Sequence, residues 1–279
     1  MTGASEWQGT VGRNWAAEWR RTDTSFSELT PHLLAAIAKE SAESIADIGC
    51  GAGEIALAIA AARPPVRITG VDISPDLVLA ATHRAQQAGL GDTRVAFACV
   101  DATDWRPAVR PDLLVSRHGV MFFPDPPMAF AHLAAISKPG ARMVFTCFRK
   151  PHENDWATQI AGLLPAPQQT APSAFPPGPF AFALPDHVRR CMAGWRDHSF
   201  TPIDFDYIAG TGENAVAEAL ALFQRIGPAA SALRDLPEPE RAEVQTRLRE
   251  LVEAHHRDGR VAFRAAAWLV SATSDNTDG

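Results

Sequence analysis

Three short apolar runs, each closing on an aspartate, constrain this chain more than any other feature. SIAD ends at Asp47, VRITGVD at Asp72 and RVAFACVD at Asp101. These acids stand about 25 to 30 residues apart, the length of one strand-plus-helix unit. Runs this apolar suit parallel strands buried on both faces. Ligands of an open α/β sheet gather beyond the carboxyl ends of its strands, where the three acids fall. A fourth run, DLLVS at 112–116, extends the series. The expectation is an α/β fold with a mostly parallel sheet and helices on both faces.

The first strand leads into a turn built from Gly49, Gly51 and Gly53, followed by a helix start. Glycine reaches positive φ and lets backbone approach a ligand with no Cβ in the way. The helix N-terminus beyond it offers free N–H groups and the positive end of a dipole. Such a turn builds a nucleotide site. Its spacing is G-x-G-x-G rather than the dinucleotide G-x-G-x-x-G, and Asp47 precedes the first glycine by two positions.

ADIGCGAGEIAL resembles the D-x-G-x-G-x-G pattern of the class I S-adenosylmethionine (SAM) methyltransferases. The resemblance implies a Rossmann-like, seven-stranded, mostly parallel sheet, with SAM as cofactor and S-adenosylhomocysteine as product. It implies that Asp47, Gly49, Cys50, Gly51 and Gly53 surround the methionine and ribose portions. GVDIS resembles the second motif, placing Asp72 on the ribose and Ile73 against adenine. Asp72 also lies at about the distance from the glycines at which a second-strand acid reaches ribose hydroxyls. Ser74-Pro75 reads as a helix cap followed by proline at the first helical position, which is compatible with that role. DATDW resembles the third motif, with Asp101 toward the adenine amino group and Ala102 offering a backbone N–H.

SRHGVMFF, then AFAHL and KPGARMVF, resembles a bacterial branch acting mostly on small molecules, which commonly reads S-R-F-G-V-M-F-F. Ser116 joins the implied cofactor-binding set. His118 stands where phenylalanine is common. Asp125-Pro126-Pro127 superficially matches a D-P-P-Y base-stacking box but lacks the aromatic and sits past the strand, so it reads as a helix start.

A net charge of −6 and a pI near 5.8 argue against a nucleic-acid partner. No apolar stretch approaches the ~20 residues that span a bilayer. MTGASEWQGT lacks the basic flank and apolar core of a signal peptide. Cys50, Cys99, Cys147 and Cys191 lie far apart and form no C-x-x-C pair, as expected of reduced thiols in a cytoplasmic protein. No His, Cys or acidic pair has metal-ligand spacing. The expected state is a monomer or homodimer, with a small-molecule acceptor as partner.

Five segments are expected: a helical arm or lid over 1–43, a SAM-binding core over 44–148, a proline-rich cap over 149–197, completing strands and helices over 198–272, and a tail over 273–279. In the arm, Trp7, Trp15 and Trp19 have two compatible readings, packing against the core or covering the cofactor. After the cap, a helix near 186–195, a strand over 199–208, two helical stretches within 213–257 and a strand over 260–270 are predicted. Tyr207 falls in the first of these strands and reads as core.

Methyl transfer from a sulfonium requires alignment and exclusion of water, with acid–base help only for a protonated nucleophile. His118 after the fourth strand and His152 after the fifth are the candidate catalytic bases. His132, His187, His255 and His256 read as helix-surface residues. Arg117 suits either an anionic acceptor or a salt bridge. Phe122, Phe123, Phe175, Phe180 and Phe182 suit either an apolar acceptor pocket or structural packing. The function expected is SAM-dependent methylation of a small molecule. The alternatives are other SAM chemistry, such as cyclisation or carboxyl-SAM use, and a non-catalytic SAM-binding regulator or partner subunit. NAD oxidoreduction is disfavoured by the glycine spacing.

Overall fold

A computed structural model describes residues 4–63, 65–91, 94–165 and 175–276. Four helices come first: α1 Ala4–Trp7, α2 Thr10–Ala17, α3 Trp19–Ser25 and α4 Thr30–Ile37. The alternating core follows as β1 Ser44–Ile48, α5 Glu54–Ala62, β2 Arg67–Asp72, α6 Pro75–Gln87, β3 Val95–Cys99, β4 Leu113–Arg117, α7 Pro126–Ala135 and β5 Arg142–Phe148. Then come α8 Asp155–Ala161, α9 Pro185–Cys191, β6 Trp195–Thr211, α10 Ala215–Arg225, α11 Gly227–Asp235, α12 Glu238–Ala254, β7 His256–Arg257 and β8 Arg260–Ser274.

The sheet runs β3-β2-β1-β4-β5-β8-β6, with the two-residue β7 attached to β8. It is parallel from β3 through β5, and β8 and β6 join antiparallel. The fold is therefore the expected Rossmann-like α/β sheet, with a short eighth strand. Alternation along the strands sends Ala46, Leu114 and Phe145 to one core and Ile45, Leu113 and Val144 to the other. Both faces are thus covered, as the apolar runs require. Parallel register brings Asp47 beside Gly70 and Val115, and Asp72 beside Cys99, so the strand ends converge.

The helix starts follow the local chemistry. Ser74 Oγ accepts from the Leu77 N–H at 3.4 Å, and Pro75 opens α6. Asp125 accepts from the Met128 N–H at 3.1 Å, so the D-P-P triplet is the cap of α7.

Several boundaries differ from expectation. β6 and β8 extend beyond 199–208 and 260–270 because they pair along nearly their whole length. β6 is an edge strand, which admits Pro202 and two register shifts, one flanked by Asp197 at φ 54°. The two helical stretches within 213–257 become three helices, since Gly227 at φ 82° separates α10 from α11. The helix near 186–195 is shorter, ending at Cys191. Part of the proline-rich cap, 166–174, and the last residues of the tail, 277–279, lie outside the described residues.

The arm docks closely. A Cβ on Gly12 would meet Trp7 O at 2.1 Å and Ser74 Oγ at 2.2 Å, so only glycine lets α2 lie against the start of α6. Buried Glu18 bonds both Arg21 and Arg225, tying the arm to α10. No helix among the described residues is long and apolar enough to cross a membrane.

Candidate active site

The carboxyl ends of β1 to β5, the arm and the C-terminal half enclose a cavity of about 600 Å³. At one end lies the glycine loop. Gly49, Gly51 and Gly53 have φ of 66°, 54° and 85°, the left-handed region that the motif implied. The Gly49 and Cys50 N–H groups both donate to Val71 O, at 2.8 and 3.1 Å. A Cβ on Gly51 would meet nothing within 4 Å, so this residue faces open space in the cavity lining.

Asp72 straps the loop in place. One carboxylate oxygen accepts from the Gly51 N–H at 2.8 Å and the other from the Ser74 N–H at 2.9 Å. Burial pushes its pKa up, against those backbone bonds. Asp47 is 1% exposed, and its Oδ2 has no partner. Burial pushes its carboxyl up to about 7, although Arg117 opposes this. Asp101 lines the cavity and accepts from the backbone and hydroxyl of Thr103 at 2.9 and 2.7 Å. Ile73 and Ala102 line it beside these acids.

Arg117 is not free to hold an anion. It pairs with Glu54 and Asp23, donates to Thr30 Oγ1 at 2.9 Å and lies over the Phe26 ring. Asp23 also pairs with Arg84 at 2.7 Å. Burial and the neighbouring Glu54 carboxylate push Asp23 up to about 7, against the pull of both arginines.

The other end of the cavity is aromatic. Ring centroids run from Phe26 to His118 at 5.0 Å, on to Phe148 at 4.1 Å and to Trp156 at 5.2 Å. The circuit closes through Tyr207 at 5.3 Å and back to Phe26 at 5.6 Å. All five residues line the cavity. His118 adopts φ 65°, its N–H bonds Thr146 O, and its Nδ1 lies 3.0 Å from Thr146 Oγ1. Its Nε2 is buried without a partner. Burial, then Arg117, hold its pKa well below the usual imidazole range, so the ring is neutral.

Most of the cofactor and catalytic candidates singled out in the sequence meet here, but three of them do not line the cavity. His152 is exposed in the turn Pro151–Glu153, because the Glu153 carboxylate bonds Arg149 and the Lys150 N–H and fixes that turn with His152 outward. Ser116 lies behind the loop, donating to Ile48 O at 2.7 Å and accepting from the Gly119 N–H at 3.1 Å. Gly53 serves packing, since a Cβ there would meet the Phe97 ring at 2.8 Å. Of the phenylalanines, Phe122 and Phe123 line the cavity. Phe182 packs between Phe130 and Phe145, Phe180 stacks on Trp156, and Phe175 stacks on His187.

The histidines read as helix-surface residues also differ in part. His132 reaches Trp105 O at 2.9 Å, and His255 stacks on Phe263, whereas His256 is exposed in β7. Trp7, Trp15 and Trp19 all line the cavity, and Trp7 contacts Trp15 and Phe122. They therefore form part of the cavity wall, with Trp7 packed on Trp15 and Phe122.

Residues 18–177, more than half of the chain, match a family described as the methyltransferase domain. The chain belongs to this methyltransferase family. Among curated relatives, it is 30% identical over 135 residues to trans-aconitate 2-methyltransferase of Escherichia coli O1:K1 / APEC, a stretch covering 48% of each chain. It is 43% identical over 81 residues to the protein of the same name from Streptomyces avermitilis, covering 29% of each. The chain thus spans about half or less of the length of these relatives. The fold is shared with Haemonchus contortus Phospholethanolamine N-methyltransferase 2, solved with phosphomonomethylethanolamine and S-adenosylhomocysteine. That match has a TM-score of 0.53 and 15% identity, covering 96% of this chain and 58% of the other.

Some residues of the cavity were not picked out as site residues in the sequence. Gly119 is one: a Cβ on Gly49 would meet Gly119 Cα at 2.8 Å, so two glycines let the first and fourth strand ends touch. Gly49 and the glycine of SRHGV were both visible in the sequence, but the contact between them was not. Asp23, Glu54 and Trp156 also belong here, contributed by the arm, α5 and α8, while Tyr207 of β6, read as core, lines the cavity too.

Proposed function

We propose that this protein transfers a methyl group from SAM to a small-molecule acceptor, releasing S-adenosylhomocysteine. The observation that carries the reading is the continuity of one cavity from the Asp72-strapped glycine loop to the aromatic ring around His118. The loop end fits the cofactor on its own chemistry. Gly51 leaves open room, the unpaired Asp47 Oδ2 suits a cationic group, and Asp72 and Asp101 retain lone pairs for hydroxyl or amino donors.

Cys50, Gly49 and Ile73 would pack around the same molecule. Bound there, SAM supplies a methyl group already activated on a sulfonium. The chain's own contribution is positioning, exclusion of water by the arm tryptophans, and proton handling at His118. His118, held at Nδ1 by Thr146 and with Nε2 unpaired, is the group placed to take a proton from a hydroxyl acceptor. His152 lies too exposed for that role, and Ser116 is committed to Ile48 and Gly119. A cytoplasmic monomer or homodimer without nucleic-acid or membrane partners completes the reading, consistent with the acidic pI near 5.8.

The test is an acceptor screen that detects released S-adenosylhomocysteine, run beside thermal-shift measurements with SAM and NAD. The reading expects stabilisation by SAM and product release with at least one small-molecule acceptor. Stabilisation by NAD and not by SAM overturns it.

A further inference from the structure

Resting on that reading, we propose that the acceptor is an uncharged aromatic hydroxyl compound, seated in the cavity against the wall formed by Phe26, His118, Phe148, Trp156 and Tyr207, and not a polycarboxylate. This departs from the acceptor named for the curated relatives, and three independent features of the cavity support it.

The first is charge. Among the described residues that line the cavity, the acids are Asp23, Asp47, Glu54, Asp72 and Asp101, whereas Arg117 is the one Lys or Arg. That guanidinium is occupied by Glu54, Asp23 and Thr30. His118 is neutral and brings no compensating charge. A multiply charged anion entering here would lose its hydration, meet no available cation and face carboxylates. Recognition of carboxylates ordinarily uses an unencumbered, bidentate arginine.

The second is the shape and chemistry of the walls. Five rings close a circuit with centroid separations of 4.1 to 5.6 Å, and Phe223, stacked on Tyr207, lines the cavity beside them. Ile160, Ile226 and Ala229 add apolar lining beside the rings. Edge-to-face and offset contacts with such rings favour a flat aromatic guest. The apolar lining would also leave a polar aliphatic chain unsolvated and unpaired.

The third is a pair of unpaired nitrogens. His118 Nε2 and Trp156 Nε1 are both buried, and neither has a partner in the protein. Trp156 Nε1 is a donor only, so it calls for an oxygen acceptor; His118 Nε2 accommodates a hydroxyl in either tautomer. Buried polar atoms are ordinarily paired, and two unpaired ones in a single aromatic ring system mark where a guest's oxygens fit. The guest is therefore a ring compound with a hydroxyl at His118 and a second oxygen toward Trp156.

The experiment titrates the full chain, saturated with S-adenosylhomocysteine, by calorimetry with 2-naphthol, 2-naphthoate and trans-aconitate. The hydroxyl compound should bind at least about tenfold more tightly than either carboxylate. Equal or tighter binding of trans-aconitate or 2-naphthoate overturns the proposal. Adding a carbonyl oxygen beside the hydroxyl, as in 1-hydroxy-2-acetonaphthone, should raise affinity. Trp156→Phe, which keeps the ring and removes the N–H, should abolish that gain while leaving S-adenosylhomocysteine affinity in place. An unchanged gain in this variant overturns the Trp156 contact. Failure of S-adenosylhomocysteine itself to bind is a separate result: it strikes the SAM reading, and the naphthol series in the unloaded chain still reads the charge preference.

Discussion

The two ends of the cavity are built in opposite ways. The glycine-loop end is made by short contiguous segments, each a strand end with its following turn, and its key bonds run through backbone N–H groups to Asp72. The aromatic end takes single side chains from distant elements: Phe26 after α3, His118 after β4, Phe148 at the end of β5, Trp156 in α8 and Tyr207 in β6. A backbone-built site constrains which residue types stand at neighbouring positions. A side-chain-built site constrains only what survives after folding brings far positions together. The first end is therefore suited to a fixed ligand shared by many proteins, and the second to one that differs among them.

Substitutions at the two ends should separate these roles. The largest effect is expected from His118→Ala. With a hydroxyl acceptor, turnover should fall by about 10² to 10⁴, while S-adenosylhomocysteine affinity measured by calorimetry stays the same. Parallel loss of both would mean that the ends do not divide as described.

Asp72→Ala comes next. It removes a carboxylate that accepts two backbone bonds and would also face the ribose, so cofactor affinity should drop by roughly 10- to 100-fold, in line with ~1.5–3 kcal/mol for charged hydrogen bonds. Measured Kd values for S-adenosylhomocysteine check this directly. Gly12→Ala tests the arm that spans both ends. Its Cβ would collide with Trp7 O and Ser74 Oγ, so thermal stability should fall by about 1–3 kcal/mol. Cofactor affinity should weaken with it, because Trp15 and Trp19 move with α2 and α3.

A smaller effect is expected from Asp47. Its folded pKa, pushed up to about 7, lies above the unfolded value of roughly 3.9. As pH rises from 4 toward 7, the unfolded chain ionises while the buried carboxyl keeps its proton. Its contribution to stability is thus fully present below pH 4, declines across that window and is lost above 7. Asp23 acts in the same direction. Asp47→Asn should flatten the decline of Tm between pH 4 and 7 by a few degrees; an unchanged slope would contradict the burial account.

The same contrast explains what was legible in the sequence. Asp47, Gly49, Cys50, Gly51, Asp72, Ile73, Asp101 and Ala102 sit in contiguous motifs, and the structure brings all of them to one cavity. Gly53 and Ser116 shared those motifs, but close packing against Phe97 and bonding to Ile48 use them for the scaffold. His152 satisfied a topological rule, lying after the fifth strand, yet the local Glu153 bonds turn it out and leave Trp156 to face inward. Tyr207 read as core because a strand pattern reports burial without saying whether a cavity lies beyond. Arg117 read as a possible anion ligand because its partners Asp23 and Glu54 are remote in sequence and meet it only in the fold. The lengths of β6 and β8 were underestimated for a similar reason, since long antiparallel pairing stabilises segments whose own apolar pattern is weak.

The central claim is that the Asp72-strapped loop holds SAM in the cavity that also contains His118. The most direct measurement is calorimetric titration of the full chain and of Asp72→Ala with S-adenosylhomocysteine, with NAD as control. The account predicts one-to-one binding of S-adenosylhomocysteine, marked weakening in the variant and no binding of NAD. Binding of NAD in its place, or S-adenosylhomocysteine affinity indifferent to Asp72, would contradict it.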